Sequence, residues 1–427
     1  MLLLYNILLV LLFVLAFPLL IFKYIFNKNE RKKHQERLGF LTKNTKEYLK
    51  KVRDDKLVWI HAGSIGEIKI AKILLDNLEK EEDIDIDLIV STGGSTGKKI
   101  AREYWSEKQI VSLPIDLPWV MNKTVKKINP DLFILIETDL WPNLIYFLSR
   151  HNVKIIMING WFKHKFYNYY KLLPGLLKKL LKKFDLIGVQ TNRDKKILQS
   201  YSIDKIKVTG NLKFSIDKFN IINQSEIKEI TDEINSQAKE IIVAGSTHKN
   251  EEEKIYEVFY RLKKKYKNLL LIIAPRDINR SKKLEKLAKS YNFNTGKKTE
   301  IKKDKNYDVI ILNTVGELAQ FYSIATVAFV GGSLVKKGGH NLLEPAIYGK
   351  PVLWGPYIGN VKNLASILEN NNVGKEIGSK EELRCVLDNL LHNKEKLKNI
   401  QKRADHMFEV QETSLDENIS IIKDFLE

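Results

Sequence analysis

Residues 57–78 read LVWIHAGSIGEIKIAKILLDNL, and this stretch decides the fold. The apolar run 57–61 predicts a β-strand, and the two glycines after it predict a tight loop. Apolar residues then recur every three or four positions, which predicts a helix with one buried face. These positions are Ile68, Ala71, Leu74, Leu75 and Leu78. A strand that leads through a short loop into a helix is the repeating unit of a parallel α/β sheet covered by helices.

The same alternation recurs along the rest of the chain. Strand candidates lie at 87–91, 110–113, 132–136, 154–158 and 186–189, and a second series lies at 241–244, 269–274, 309–312, 327–330 and 351–354. The polar segment 221–239 has no strand pattern, so we interpret it as a linker. The sequence therefore predicts two Rossmann-like domains, residues 27–220 and 221–427, the second with terminal helices. Ligands bind at the carboxyl ends of strands in such sheets, so we expect a site in a cleft that both domains face.

The first segment of the chain is predicted to be a membrane anchor. Residues 1–22 carry no charged side chain and would form a helix about 33 Å long. Basic residues follow this run rather than precede it, and no small-residue cleavage site is present, which favours an anchor over a cleaved signal peptide. The positive-inside rule then places the remaining chain in the cytoplasm. We expect residues 1–26 to form the anchor, with an interfacial helix kinked at Pro18 as a variant.

Composition limits the function classes. The chain has 427 residues, of which 44% are hydrophobic, so it can form real cores and is not disordered. A single cysteine, Cys385, excludes an intrachain disulfide and a Cys-cluster zinc site. The net charge of +19 predicts an anionic partner, which can be nucleic acid, anionic lipid or a phosphorylated small molecule. Charge alone does not choose among these.

Charged residues follow several strands of the first domain. Glu67 lies in the first turn of the helix after HAGSIGE and is suited either to general-base catalysis or simply to the helix dipole. The motif IETDLWP places Glu137 and Asp139 at a strand end, where Glu137 is the better cleft candidate and Asp139 is expected to cap a helix. Lys213 in VTGNLKF is a candidate for binding a phosphate or carboxylate, or is one more solvated lysine.

Phosphate-binding loops are predicted in the second domain. The motif GSTH at 245–248 predicts a helix start whose N–H groups hold phosphate, and Arg276 follows the next strand. The strongest signal is GGSLVKKGGHNLLEP at 331–345, whose backbone can cradle an anion while Glu344 binds ribose hydroxyls. Its spacing differs from a Walker A loop and from GxGxxG, which argues against an ATPase or a Rossmann dehydrogenase.

A basic segment at 163–183 has two interpretations. Leucines and lysines alternate in it, and a regular helix is expected to begin at Pro174-Gly175. The segment is either a membrane-surface element with lysines on lipid phosphates or a sheet-covering helix with a lysine-rich solvent face.

The motifs taken together resemble one family, the 3-deoxy-D-manno-octulosonic acid (Kdo) transferases of lipopolysaccharide assembly. The matching segments are 61–67, 136–142, 208–214, 245–248, 275–276, 316–317 and 331–345. The resemblance implies a GT-B glycosyltransferase fold with an N-terminal membrane anchor. It implies transfer of Kdo, with inversion, from CMP-Kdo to a lipid A precursor similar to lipid IVA. It also places the enzyme at the cytoplasmic side of the inner membrane, against an anionic membrane surface.

The resemblance also assigns residue roles. Glu67 would be the general base, and Glu137 and Lys213 would stabilise the transition state. The residues that would hold CMP are Pro275, Arg276, Val315, Gly316, Glu317, Asn341, Leu342, Leu343 and Glu344. No metal and no other cofactor is expected, because CMP is a good leaving group, and no nucleic acid is expected as a partner.

Two other functions remain open from the sequence. A different membrane-associated GT-B transferase would share the cleft and the Gly-rich loop but would use a UDP-sugar. A non-enzymatic membrane tether for polyanions would explain the charge and the anchor, but not the acids at the strand ends.

Overall fold

The computed structural model of the chain describes residues 1–26, 35–52, 56–80, 85–162, 174–215, 232, 240–302 and 305–427. It divides into two compact units. Unit 1 comprises Met1–Ile216 and Gln411–Glu427, and unit 2 comprises Asp217–Val410. The predicted linker, apart from residue 232, and residues 163–173 of the basic segment lie outside the described residues.

Unit 1 is built on a seven-stranded parallel sheet. Its strands are β1 (Lys56–His61), β2 (Ile86–Thr92), β3 (Ile110–Ser112), β4 (Leu132–Ile136), β5 (Lys154–Gly160), β6 (Leu186–Val189) and β7 (Ile206–Val208), in the spatial order β3-β2-β1-β4-β5-β6-β7. Its helices before residue 216 are α1 (Leu2–Phe26), α2 (Lys43–Lys51), α3 (Ile65–Leu78), α4 (Ser95–Tyr104), α5 (Pro118–Ile128), α6 (Pro142–Arg150), α7 (Pro174–Leu181) and α8 (Asn192–Ser200).

Unit 2 repeats the architecture with a second seven-stranded parallel sheet. Its strands are β8 (Glu240–Thr247), β9 (Leu269–Pro275), β10 (Thr295–Lys297), β11 (Val309–Ile311), β12 (Val327–Val330), β13 (Val352–Trp354) and β14 (Gly374–Glu376), in the order β10-β11-β9-β8-β12-β13-β14. The helices are α9 (Glu252–Lys265), α10 (Ser281–Ser290), α11 (Leu318–Ser323), α12 (Leu343–Ala346), α13 (Lys362–Asn370), α14 (Lys380–His392) and α15 (Lys394–Leu426).

The strand order identifies the ligand-binding edge of each sheet. All strands run parallel, but successive strands are added to one side of β1 and then to the other side, so the strand order reverses between β1 and β4 in unit 1. The same reversal occurs between β8 and β12 in unit 2. Such a switch point leaves a crevice at the carboxyl ends of the two strands. The predicted acids of the first domain and the Gly-rich loop of the second follow these central strands. Two Rossmann-like domains are thus confirmed, and the cleft between them stays a prediction.

The central strands form because their side chains are buried on both faces. Val58, Trp59 and Ile60 of β1 are fully buried, as expected for a parallel strand between two helix layers. The next helix, α3, packs its predicted apolar face against the sheet, and Ile68, Leu74 and their neighbours are buried. Burial of each such side chain contributes about 1.5–3 kcal/mol.

The end of the chain differs from the predicted domain assignment. Helix α15 begins in unit 2, but Gln411–Glu427 belongs to unit 1. Leu415, Ile419 and Ile422 join the buried cluster that also contains Val58. The predicted domain 221–427 therefore includes a segment that completes the core of the first unit.

The N-terminal helix α1 makes polar contacts with the rest of unit 1. The Tyr5 hydroxyl donates to Oδ2 of Asp116 at 2.9 Å, and Nδ2 of Asn143 donates to Oδ1 of Asn6 at 2.7 Å. These contacts hold the first turns of the helix against the protein. In the described part of the chain we find no helix whose length and apolar character suffice to cross a membrane. The predicted membrane-spanning anchor at residues 1–26 is therefore not supported.

The described part of the basic segment is a sheet-covering helix. Helix α7 begins at Pro174, as predicted. Its four leucines, Leu176, Leu177, Leu180 and Leu181, are buried in the core of unit 1. For this helix the structure favours the sheet-covering interpretation over the membrane-surface one.

Candidate active site

Glu67 lies in the first turn of α3, directly beyond β1. Ser64 caps the helix by accepting a hydrogen bond from the N–H of Glu67 at 3.3 Å, and the Glu67 carboxylate accepts from the N–H of Gly63 at 2.7 Å. The residue is only 8% exposed. Burial raises the pKa of the Glu67 carboxyl, and the nearby charge of Glu137 raises it further. A carboxylate with a raised pKa at a sheet edge is suited to accept a proton near neutral pH.

Glu137 follows β4, the strand beside β1. Its backbone has φ of 62°, an uncommon conformation for a residue with a side chain, and its N–H donates to the carbonyl of Ile158 at 2.9 Å. This turn directs the chain from the strand into the loop before α6. Backbone conformations of this kind concentrate at functional sites.

Lys213 completes the charged group at this edge. Its Nζ lies 2.5 Å from Oε1 of Glu137. Two buried asparagines position the segment, because the N–H of Lys213 donates to Oδ1 of Asn211 at 3.0 Å and the N–H of Leu212 donates to Oδ1 of Asn159 at 3.1 Å. The structure thus brings the three predicted residues of the first domain together around the β1–β4 switch point.

Asp139 does not cap a helix, contrary to the prediction. Helix α6 has Trp141 at its N-cap position, without a side-chain cap, and Asp116 accepts from the N–H groups of Asn143 and Leu144, both at 3.0 Å. The carboxylate of Asp139 instead faces the ring of His61, which is the last residue of β1.

The Gly-rich loop of unit 2 is held by a buried carboxylate. Glu251 is fully buried and accepts four backbone hydrogen bonds of 2.8–3.0 Å, from the N–H groups of His248, Gly332, Ser333 and Leu334. These N–H groups are therefore occupied by the protein itself. The prediction that the loop at 245–248 offers free N–H groups for phosphate is wrong at His248, and in the loop at 331–345 the N–H groups of Gly332, Ser333 and Leu334 are likewise not free for an anion.

Two histidines join the loops that follow β8 and β12. Nε2 of His248 lies 2.9 Å from Nε2 of His340, and the planes of the two rings are within 5° of parallel. Burial lowers the pKa of His340 to about 4, helped by the charges of Arg276 and His248, and burial also lowers the pKa of His248. Both rings are therefore neutral at pH 7, so one donates to the other.

The predicted CMP-binding residues lie on three loops of unit 2. Arg276 is exposed at the end of β9, where its N–H donates to the carbonyl of Thr247 at 2.9 Å. Oδ1 of Asn341 accepts from the N–H of Leu343 at 3.1 Å, and Nδ2 of Asn341 lies 3.4 Å from Oε1 of Glu344. Leu342 and Leu343 are fully buried, so within the segment 341–344 Asn341 and Glu344 are the residues whose side chains can face a ligand.

The third loop precedes α11. Val315 is 81% exposed, and Gly316 has φ of 94°. A Cβ added to Gly316 would meet no atom of the described residues within 4 Å beyond its chain neighbours. The Glu317 carboxylate accepts from the Thr314 hydroxyl at 2.5 Å. The loop therefore has open space beside Gly316, and nucleotide binding there stays a prediction. Pro275 is buried at the end of β9.

Family models match both units. Residues 32–216 match the family described as 3-Deoxy-D-manno-octulosonic-acid transferase (kdotransferase), and residues 223–407 match glycosyl transferases group 1. The fold and these matches define the chain as a glycosyltransferase built from two parallel-sheet domains. It belongs to the Kdo transferase family, as its curated relatives show.

Two relatives and one solved structure illustrate the similarity. The chain is 33% identical to the 3-deoxy-D-manno-octulosonic acid transferase of Aquifex aeolicus, over 82% of this chain and 90% of that protein. It is also 33% identical to a bifunctional glycosyltransferase/methyltransferase of Fusobacterium nucleatum, over 87% of this chain but only 57% of that longer protein. The crystal structure of UDP-GlcNAc 2-epimerase from Neisseria meningitidis superposes with a TM-score of 0.57 at 17% identity, over 87% of this chain and 99% of that one. At that identity the superposition shows the fold alone.

Sequence reasoning misses some residues of these sites. In the sequence Glu251 is only the first of three consecutive glutamates. Its position three residues after His248 is nevertheless a recognisable capping pattern. His61 belongs to the HAGSIGE motif, but the motif alone assigns it no role. Its position, at the last residue of a central strand, is the signal that could identify it.

Proposed function

We propose that this chain transfers Kdo from CMP-Kdo to a hydroxyl group of a lipid A precursor, with Glu67 as the general base. The observation that carries the proposal is the buried Glu67 carboxyl, with its raised pKa, beside the Glu137–Lys213 ion pair at the switch point of unit 1. Membership of the Kdo transferase family supplies the transferred sugar, and the donor and acceptor are those that the motif resemblance implies.

The proposed reaction is a direct displacement. Glu67 accepts the proton of the acceptor hydroxyl while the hydroxyl oxygen forms a bond to the anomeric carbon of Kdo. The bond from that carbon to the phosphate oxygen of CMP breaks, and CMP leaves with the electron pair. One displacement inverts the anomeric configuration. Lys213 and Glu137 would stabilise the charges that develop in the transition state.

Unit 2 would hold the donor. Arg276 would pair with the phosphate of CMP, since guanidinium groups bind phosphate oxygens through two parallel hydrogen bonds. Asn341 and Glu344 are suited to the ribose hydroxyls. The proposal requires no metal, because the phosphate of CMP leaves with its charge paired by arginine and backbone groups.

The acceptor is a lipid, so the proposal also places the enzyme at the anionic cytoplasmic face of the inner membrane. The net charge of +19 favours an anionic surface. Apolar side chains of α1, among them Leu12 at 64% and Leu15 at 76%, are exposed and suit an interfacial contact.

A transfer assay tests the proposal. Purified protein is mixed with EDTA, CMP-Kdo and a labelled tetra-acylated lipid A precursor, with Glu67→Gln in parallel. We expect product from the wild type, and a loss of about 10²–10⁴-fold in rate for the variant. Glu67→Gln should bind CMP as the wild type does, because the nucleotide residues lie in unit 2. Protection of the protein from proteolysis by UDP-sugars, but not by CMP, would contradict the donor assignment.

A further inference from the structure

Helix α5 has one face that carries a tryptophan and two lysines. Trp119, Lys123 and Lys127 are spaced four residues apart in this helix, so they lie on the same face. All three are exposed, Trp119 at 53%. The opposite face, which includes Met121 and Val125, is buried in the core of unit 1. The helix therefore presents a large aromatic side chain and two positive charges to its surroundings.

A second exposed aromatic residue, Phe40, lies beside this face. The centroid of its ring is 4.3 Å from Nζ of Lys123 and 5.9 Å from Nζ of Lys127, and the residue is 47% exposed. Gly39 brings the segment against the helix, because it has φ of 74° and a Cβ added to it would lie 2.5 Å from Oγ1 of Thr124. The backbone thus fixes Phe40 next to the lysines of α5.

The positive charges of this region are not compensated by acids. Burial lowers the pKa of the Lys127 amine, and the nearby charges of Lys123 and of Lys46 in α2 lower it further. None of these three lysines forms an ion pair in the part of the chain that the structure describes. Glu47, which follows Lys46, is 3.8 Å from Lys43 instead. Uncompensated like charges destabilise a folded protein, so an anionic partner would explain their presence.

The lysines adjoin helix α1, which exposes apolar side chains. Asp116 accepts a hydrogen bond from Tyr5 of α1 at 2.9 Å, and it lies three residues before Trp119. Helix α1 exposes leucines, among them Leu8 at 50% and Leu11 at 55%. A nucleic acid offers phosphate groups but no apolar phase for such side chains, whereas a lipid bilayer offers both.

We propose that unit 1 docks on an anionic phospholipid bilayer through an aromatic–basic patch beside α1. The patch consists of Phe40, Trp119, Lys46, Lys123 and Lys127. This inference rests on the membrane location in the proposed function and names the surface that provides it. The lysines bind lipid phosphates, and the two rings lie among the headgroups, where aromatic residues are favoured. Helix α5 follows β3 and so begins at the carboxyl edge of the sheet, the edge that carries Glu67.

The test measures vesicle binding of four full-length proteins. The vesicles are phosphatidylcholine alone, or phosphatidylcholine and phosphatidylglycerol in a molar ratio of two to one. The proteins are the wild type, Trp119→Ser, a patch variant and a control variant, and both of the last two lose three positive charges. The patch variant is Lys46→Gln/Lys123→Gln/Lys127→Gln. The control variant is Lys154→Gln/Lys196→Gln/Lys207→Gln, at exposed lysines elsewhere in unit 1. Thermal stability and the rate of transfer to the acceptor are measured in parallel.

We expect the patch variant to bind the anionic vesicles about 100-fold more weakly than the wild type, since each lysine contributes a factor of about five. The control variant should bind them nearly as the wild type does, and Trp119→Ser should bind both kinds of vesicle more weakly. For the patch variant, transfer to an acceptor dissolved in detergent should be unchanged, whereas transfer to an acceptor embedded in anionic vesicles should fall.

Three results overturn the inference. Equal losses for the patch and control variants would show that net charge alone attracts the bilayer, and wild-type binding by the patch variant would show that another surface docks. Binding of tRNA that depends on the patch lysines, without binding of vesicles, would assign the patch to nucleic acid. Absence of Kdo transfer by the wild type, with vesicle binding that still depends on the patch, would instead overturn the proposed reaction and leave the docking surface standing.

Discussion

Lys213 and Glu137 form an ion pair, with 2.5 Å between Nζ and Oε1, and Glu137 in turn raises the pKa of Glu67. The charge of Lys213 therefore acts on Glu137, and the charge of Glu137 acts on Glu67, the proposed base. Lys213 compensates the Glu137 charge, so it limits how far that charge can raise the pKa of Glu67.

This relationship predicts opposite pH shifts for two substitutions. Lys213→Met leaves Glu137 uncompensated, so the pKa of Glu67 should rise and the acid limb of kcat/KM should move to higher pH. Glu137→Gln removes the repelling charge, so the limb should move to lower pH. The measurement is a pH–rate profile of each variant, with Lys213→Arg as the control that keeps the charge. Shifts in the same direction for both variants would show that the charges of Lys213 and Glu137 do not set the pKa of Glu67 in this way.

The Gly-rich loop should be sensitive to one added methyl group. A Cβ on Gly331 would lie 2.6 Å from the carbonyl oxygen of Ser246 and from Cα of Thr247, and this backbone cannot move aside easily. We expect Gly331→Ala to lower the free energy of unfolding by about 1–3 kcal/mol and to weaken CMP binding. Gly359→Ala is the matched control, because its Cβ would meet no atom of the described residues within 4 Å beyond its chain neighbours. Calorimetry of both variants checks this, and equal stability would contradict the close approach of Gly331 to the end of β8.

The histidine pair predicts acid sensitivity of unit 2. The folded-state pKa values of His248 and His340 are lowered, the latter to about 4, so folding favours the neutral rings. The stability that the neutral rings contribute to the folded state is fully present above the unfolded-state pKa of about 6.5. It is lost as pH falls through the folded-state pKa values. We expect unfolding free energy to fall between about pH 6.5 and 4, and His340→Gln to flatten this dependence. Denaturant titrations at several pH values measure it, and an unchanged slope in the variant would contradict the assignment.

The hydrogen bond from Tyr5 to Asp116 should stabilise the attachment of α1. Asp116 is buried, which raises its pKa to about 6, so the carboxylate that accepts from Tyr5 is mostly ionised at pH 7. Tyr5→Phe removes one hydrogen bond to a charged group, so it should lower the stability of α1 on unit 1 by about 1.5–3 kcal/mol. Hydrogen exchange at α1 should become faster, while Tyr104→Phe, at an exposed tyrosine of the same unit, should have no effect. Unchanged exchange at α1 would show that other contacts hold the helix.

The central strands can be predicted from the sequence because they are buried on both faces. The unbroken apolar run at 132–136 predicts a strand, and β4 has the same limits. The short strands β7 and β14 are missed, because their residues are half-buried or exposed and give no apolar run. A strand at the edge of a sheet is recognised by its pairing with the neighbouring strand, and the local sequence carries no information about that pairing.

The candidate site divides in the same way. Glu137 can be found because an acid directly after an apolar strand is conspicuous, whereas the motif at 61–67 alone leaves Glu67 open between a general base and a glutamate that matches the helix dipole. Glu251 cannot, because its role depends on a loop about eighty residues further along the chain, at Gly332, whose N–H it accepts. The ring orientation of His61 likewise depends on Ser91 and Trp59, which lie on two neighbouring strands. Contacts of this kind are set by tertiary packing.

Helix α15 has a consequence for how the protein is made. Leu415, Ile419 and Ile422 fill the core of a unit whose other residues come from the first half of the chain. During synthesis unit 2 can close as soon as its own residues emerge, whereas unit 1 must wait until Gln411–Glu427 has left the ribosome. Unit 1 is thus translated first but finishes folding last. A premature stop codon just before Gln411 would damage unit 1 rather than unit 2.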